Sequence, residues 1–163
     1  MSRIQAVYPV PAPVAEQAHL DQAAYEKLYA QSISHPEQFW AEKADELLSF
    51  YKTWDTVHNS DLQTGRIRWF EGAELNVCYN CVDRHLDERG RQTAFIFEHN
   101  ELGRSYRVSY RELHTQICKF ANVLKSRGVE KGDRVVIYLP MIEEAAVAML
   151  ACARIGAVHS VVF

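Results

Sequence analysis

The clearest alternation of apolar and polar positions begins at Thr93. Ala94 to Phe97 forms a short apolar run that predicts a strand, with Tyr106 to Val108 as its partner across a turn at Asn100 to Gly103. Ser109 then stands three residues before Glu112. That spacing predicts a capping box, in which two side chains satisfy the free amides at a helix start. Leu113, Ile117, Phe120, Ala121 and Leu124 follow at the helical period, and Gly128 closes the helix as a residue that turns left-handed.

A tight turn at Glu130 to Asp133 leads to a strand from Arg134 to Leu139, stopped by Pro140. A second helix runs from about Ile142 to Ile155, opened by Glu143 and Glu144 and closed near Gly156. The last run, Ala157 to Phe163, is again a strand. Strand, helix and strand in that order predict a βαβ unit with parallel strands and a right-handed crossover. Val158, Ser160, Val161, Val162 and Phe163 have the profile of a strand covered on both faces, so the sheet is expected to be incomplete within these residues.

Upstream the pattern is looser. Residues 1–17 carry Pro9, Pro11 and Pro13 and predict an extended arm. A helix is expected from Asp21 to Gln31, with Ala24, Tyr25 and Leu28 on one face. Another opens at Pro36, with Glu37 in its first turn and a buried stripe of Phe39, Trp40, Lys43 through its stem, Leu47 and Leu48. Residues 50–75 mix Tyr51, Trp54, Val57, Ile67, Trp69 and Phe70 with turn formers, which predicts short strands and loops anchored by the two tryptophans. Asn76 caps a predicted helix to about Glu88, with Val77, Cys78, Cys81, Val82, His85 and Leu86 on its apolar side.

Composition narrows the classes of function. The chain has 163 residues, is 48% hydrophobic and 24% charged, and carries a formal charge of -3, the balance of a globular protein with no basic face for nucleic acid or anionic membrane. The start lacks the charged region and apolar block of a secretory signal. The longest apolar run, Ala145 to Ala153, falls short of the roughly 20 residues a membrane span needs. A soluble cytoplasmic chain is the expectation, and with it free rather than disulfide-bonded cysteines.

Candidate chemistry is sparse. Cys78 and Cys81 make a C-x-x-C, with His85 four residues on, but a zinc site needs about four ligands and no second pair follows. Two small apolar side chains three apart also share a helix face, and that core reading is preferred. Asp83, Arg84, His85 and Asp87 invite an acid-base reading, yet no nucleophile stands at a recognisable spacing, so ion pairs and solvated charges are expected. Neither G-x-x-x-x-G-K-[ST] nor G-x-G-x-x-G occurs, and the turn Pro140-Met141-Ile142 has no glycine with which to cradle a phosphate. G-x-S-x-G and H-E-x-x-H are also missing, and the seven histidines lie singly.

Resemblance supplies what chemistry does not. Val108-Ser-Tyr-Arg-Glu-Leu113 resembles the first core motif of adenylate-forming enzymes, Gly128 to Pro140 resembles the segment that follows it, and Leu150-Ala-Cys-Ala-Arg-Ile-Gly-Ala157 resembles the second. Within that superfamily the string Glu144 to Phe163 is similar to the acetyl-CoA synthetases, as are Tyr25-Glu-Lys-Leu-Tyr29, Pro36-Glu-Gln-Phe-Trp40 and Tyr79-Asn-Cys-Val-Asp-Arg-His-Leu86 in their N-terminal cap. Propionyl-CoA synthetases share the C-terminal string. One departure is Glu143, where relatives often carry proline.

The resemblance implies an α/β fold: a Pro-rich arm (1–20), a helical N-terminal cap (21–90), and the beginning of the AMP-binding domain (91–163) as β-hairpin, helix and βαβ unit. It implies an N-terminal segment of an enzyme that converts acetate, ATP and CoA, with Mg²⁺, to acetyl-CoA, AMP and diphosphate through acetyl-adenylate. No catalytic and no metal residue is expected here, because the family's phosphate loop, nucleotide-binding acid, acyl pocket and C-terminal lysine come later. Phe163 alone would stand near a ligand, the CoA tunnel. The expected partner is the remainder of the same polypeptide, and the isolated segment should bind neither ATP nor CoA. Two readings of other classes compete: a flavodoxin-like module, which would need acids clustered at strand ends where Leu139-Pro140 has none, and a stand-alone interaction module using Tyr25, Tyr29, Phe39 and Trp40.

Overall fold

Ser109 turns the chain from a strand into a helix by the predicted device. Its hydroxyl accepts from the Glu112 amide at 3.3 Å, while Glu112 Oε2 accepts from the Ser109 amide at 2.8 Å. The computed structural model describes residues 8–101 and 103–162, so Phe163 lies outside the described residues. In chain order the helices are α1 (Ala12–Glu16), α2 (Gln22–Ser34), α3 (Pro36–Leu47), α4 (Val77–Cys81), α5 (Leu86–Arg89), α6 (Tyr110–Ser126) and α7 (Glu143–Ile155). The strands are β1 (Thr56–His58), β2 (Trp69–Glu71), β3 (Thr93–Glu98), β4 (Ser105–Ser109), β5 (Arg134–Tyr138) and β6 (Val158–Val162). The chain forms two compact units, one of Met1–Leu47 with Val57–Trp69 and one of Leu48–Thr56 with Phe70–Phe163.

In the first unit Asp21 caps α2 by accepting from the Ala24 amide at 2.7 Å, and α3 opens on Pro36 as expected. Gln31 ties α2 to α3 through Glu42 at 3.2 Å. The stripe expected on α3 is corrected: Ala44 is its buried residue, whereas Trp40, Leu47 and Leu48 are exposed. Trp40 instead meets Trp69 edge to face at 6.4 Å, and His58 lies over Trp69 at 4.2 Å. The extended arm is corrected too. Residues 12–16 form an exposed helical turn, with Pro13 in the first turn, where a missing amide costs nothing.

The second unit is built around α7. Ala145, Val147, Ala148, Ala151 and Cys152 are buried, which is the behaviour of a helix apolar all round. One side, Val147 and Ala151, joins Cys78, Val82, Val108, Leu113, Ile117 and Ala121 in a core shared with α4, β4 and α6. The other, Ala148 and Cys152, packs with Ile137 and Ala157 against β5 and β6. Alanine and cysteine keep both approaches close. No helix is long and apolar enough to cross a membrane among the described residues.

Strands β3 and β4 pair antiparallel, and β5 and β6 pair parallel from Arg134 opposite Val158 to Tyr138 opposite Val162. Gly156 closes α7 at φ 77°, a conformation glycine adopts without a Cβ penalty, and Val158 donates to the Asp133 carbonyl at 2.7 Å to start β6. The sheets are small and incomplete, as the pattern predicted. With the sheet incomplete, β6 is covered on one face only within these residues. Val161 turns toward α7, but Val158 and Val162 are exposed, as are Val136 and Tyr138 of β5. The described residues cover one face of this pair, through α7, and leave the other open.

Glu143 does more than favour the helix start. Tyr106 of β4 donates to its Oε2 at 2.6 Å, and that bond pushes the Tyr106 phenol up to about 12. Ser109→Ala should lower the protection of the first α6 turn against hydrogen exchange by about 0.5–2 kcal/mol.

Candidate functional site

The polar groups of this chain converge on the C-terminal end of α7. Asn76 caps α4 through Oδ1, which accepts from the Tyr79 amide at 3.1 Å. Its Nδ2 donates to the carbonyls of Ala153 at 2.9 Å and Arg154 at 3.2 Å. One side chain therefore satisfies an open helix start and an open helix end. Asn80, one turn on, clasps Ser49 in both directions: its Oδ1 accepts from the amide at 2.8 Å and its Nδ2 donates to the carbonyl at 2.9 Å.

The helix predicted from Asn76 to Glu88 is broken after Cys81. Val82 sits at φ −129° and ψ −62°, a single tight turn spans Asp83–His85, and α5 resumes the helix. The break leaves Val82 buried in the core and carries Asp83 to α7. Both nitrogens of the Arg154 fork donate to the Asp83 carboxylate at 2.8 Å, with side-chain exposures of 17% for Asp83 and 28% for Arg154. Such a bidentate, charge-assisted pair offsets the helical hydrogen bonds forfeited at the turn. Burial pushes the Asp83 carboxyl up, but the Arg154 hydrogen bonds and charge outweigh it, with a further pull from His114, and hold it below the usual carboxylate range. The Asp83 hydrogen bond, against the burial cost, in turn holds Arg154 protonated.

Two thiols border this pair. Cys78 is fully buried and receives an Arg154 N–H at 3.6 Å. Burial pushes its thiol up, more than the Arg154 bond draws it down. His114 of α6 brings Nε2 to 3.4 Å from Asp83 Oδ1 and 3.4 Å from an Arg154 nitrogen, and Cys118 sets its sulfur 3.4 Å from the same Nε2. Cys118 and Arg154 also line a groove of about 570 Å³ between α6 and the turn before β5.

The C-x-x-C thus divides, with Cys78 in the core and Cys81 exposed, so the core reading holds for one sulfur and is corrected for the other. Both lie on α4, and the core covers the side that carries Cys78 but not the side that carries Cys81. Among the described residues no three His, Cys, Asp or Glu side chains converge as a ligand set. Arg84 bonds Asn80 at 3.1 Å, His85 lies 5.6 Å from the Tyr110 ring, and Asp87 is exposed. Asp83 is the member of that quartet that forms the ion pair to α7. The spacing reading had missed Arg154, His114 and Cys118. Arg154 carried a signal, as the charge that ends an apolar helix, and so did the four-residue interval from His114 to Cys118.

This arrangement fastens α4, the turn after it and α6 to the end of α7. Asn76→Asp tests the fastening, because aspartate is an equal N-cap but cannot donate and sets a negative charge against helix-end carbonyls. The last turn of α7 should lose about 1–2 kcal/mol of exchange protection while α4 keeps its own.

Comparison with known proteins fits this scaffold. The model of the acetyl-coenzyme A synthetase N-terminus matches residues 25–81, and that of the AMP-binding enzyme matches 82–163. The chain is 55% identical to an acetyl-coenzyme A synthetase of Alkalilimnicola ehrlichii over 96% of its length and 24% of the relative's. It is 56% identical to acetyl-coenzyme A synthetase 2 of Pseudomonas aeruginosa, with the same coverage of both chains. Against the Alcanivorax borkumensis acetyl-coenzyme A synthetase it is 56% identical over 100% of the chain and 25% of the relative. It therefore spans about a quarter of the length of these relatives. Among solved structures, acetoacetyl-CoA synthetase from Streptomyces lividans superposes with a TM-score of 0.77 at 29% identity, covering 93% of this chain and 23% of that one. From the two consecutive models and the shared scaffold it follows that the chain belongs to the AMP-binding enzyme family and carries the acetyl-coenzyme A synthetase N-terminus.

Proposed function

We propose that the polypeptide carrying this segment is an AMP-forming acetyl-CoA synthetase. Acetate attacks the α-phosphorus of ATP, giving acetyl-adenylate and diphosphate, and the thiol of CoA then displaces AMP. The observation that carries this reading is the 55–56% identity to acetyl-coenzyme A synthetases across at least 96% of the chain. Mg²⁺ would neutralise the phosphate charge of ATP during transfer. The turn between β5 and α7 is Pro140-Met141-Ile142, which has no glycine to approach a phosphate, so no step of the reaction is assigned to these residues.

On this reading residues 21–90 form the cap, 91–163 begin the AMP-binding domain, and 1–20 are the arm. Catalytic groups enter from chain beyond Phe163, and Phe163 itself borders the CoA tunnel. The polypeptide works in the cytoplasm on small molecules, and the segment's partner is the rest of its own chain.

The test is acetate-dependent AMP release by the whole polypeptide with ATP, Mg²⁺ and CoA, with propionate as competitor. AMP formation with a higher kcat/KM for acetate supports the proposal. A preference for propionate reassigns the acyl group, and failure to release AMP with either acid overturns the ligase. Calorimetric titration of the 163-residue chain with ATP or CoA should give no binding heat, and tight binding would overturn the structural role assigned to it.

A further inference from the structure

We draw no further inference here: the strongest candidate, the apolar face that Val136 and Tyr138 of β5 and Val158 and Val162 of β6 turn away from α7, carries no proposal because nothing in the structure shows what covers it.

Discussion

Asp83→Ala should cost about 2–4 kcal/mol of local stability. Removing one partner of a buried ion pair costs about 3–5 kcal/mol because the other charge is left without compensation. The pair here is partly open, at 17% and 28% side-chain exposure, which lowers the figure. The loss should be read as faster hydrogen exchange of α7 amides in the whole polypeptide, where each tenfold corresponds to about 1.4 kcal/mol. Arg154 would then present its fork to Cys78 and His114 alone, neither of which neutralises it. A double change, Asp83→Leu with Arg154→Leu, should recover much of the loss, since the uncompensated charge goes with it. Equal exchange in the wild type and Asp83→Ala would remove the pair from any structural role.

The same pair sets a pH dependence. The folded Asp83 carboxyl lies below its unfolded value, so its contribution is fully present above the unfolded pKa of about 4. It drains away as pH falls through that value toward the folded one. Exchange protection of α7 should therefore be flat from neutral pH to about 5 and decline below about 4. Asp83→Asn should flatten that acid limb, and a decline that survives the substitution would trace it to other carboxylates.

Ile117→Ala should be the costliest change in the core, at about 2–5 kcal/mol. Ile117 is fully buried among Leu113, Ala121, Val147 and Ala151, where small neighbours on α7 and rigid strands leave little freedom to close a cavity. Ile117→Val should cost only about 0.5–1.5 kcal/mol, because one methylene is lost rather than most of the side chain. Phe120, on the same helix but 36% exposed, provides the contrast. Its replacement by alanine should fall well below Ile117→Ala, and a reversed order would mean that α6 packs through a different face.

Ile117 and Asp83 mark the two sides of what could be read without coordinates. Ile117 was legible because it lies on a stripe that recurs at the helical period, after a capping box and before a glycine stop. Each of those signals acts within a few residues, so the amino acids alone determined the β3–β4 hairpin, α6, and the parallel β5–α7–β6 unit almost to the residue. The family motifs fall in the same stretch, which made membership legible as well.

What only the tertiary structure decided depends on residues far apart in the chain. Asp83 and Arg154 stand 71 positions apart, and no local pattern announces that one will break a helix to reach the other. The division of the C-x-x-C into a core sulfur and an exposed one depends on how α4 packs against the rest of the core. So does the double duty of Asn76, whose N-cap role is local but whose bonds to Ala153 and Arg154 exist only once α4 meets the end of α7. Exposure of the α3 stripe and of one β5–β6 face belongs here too. Periodicity tells which side chains share a face, while burial of that face requires a second surface, and which surface arrives is settled by packing over the whole fold.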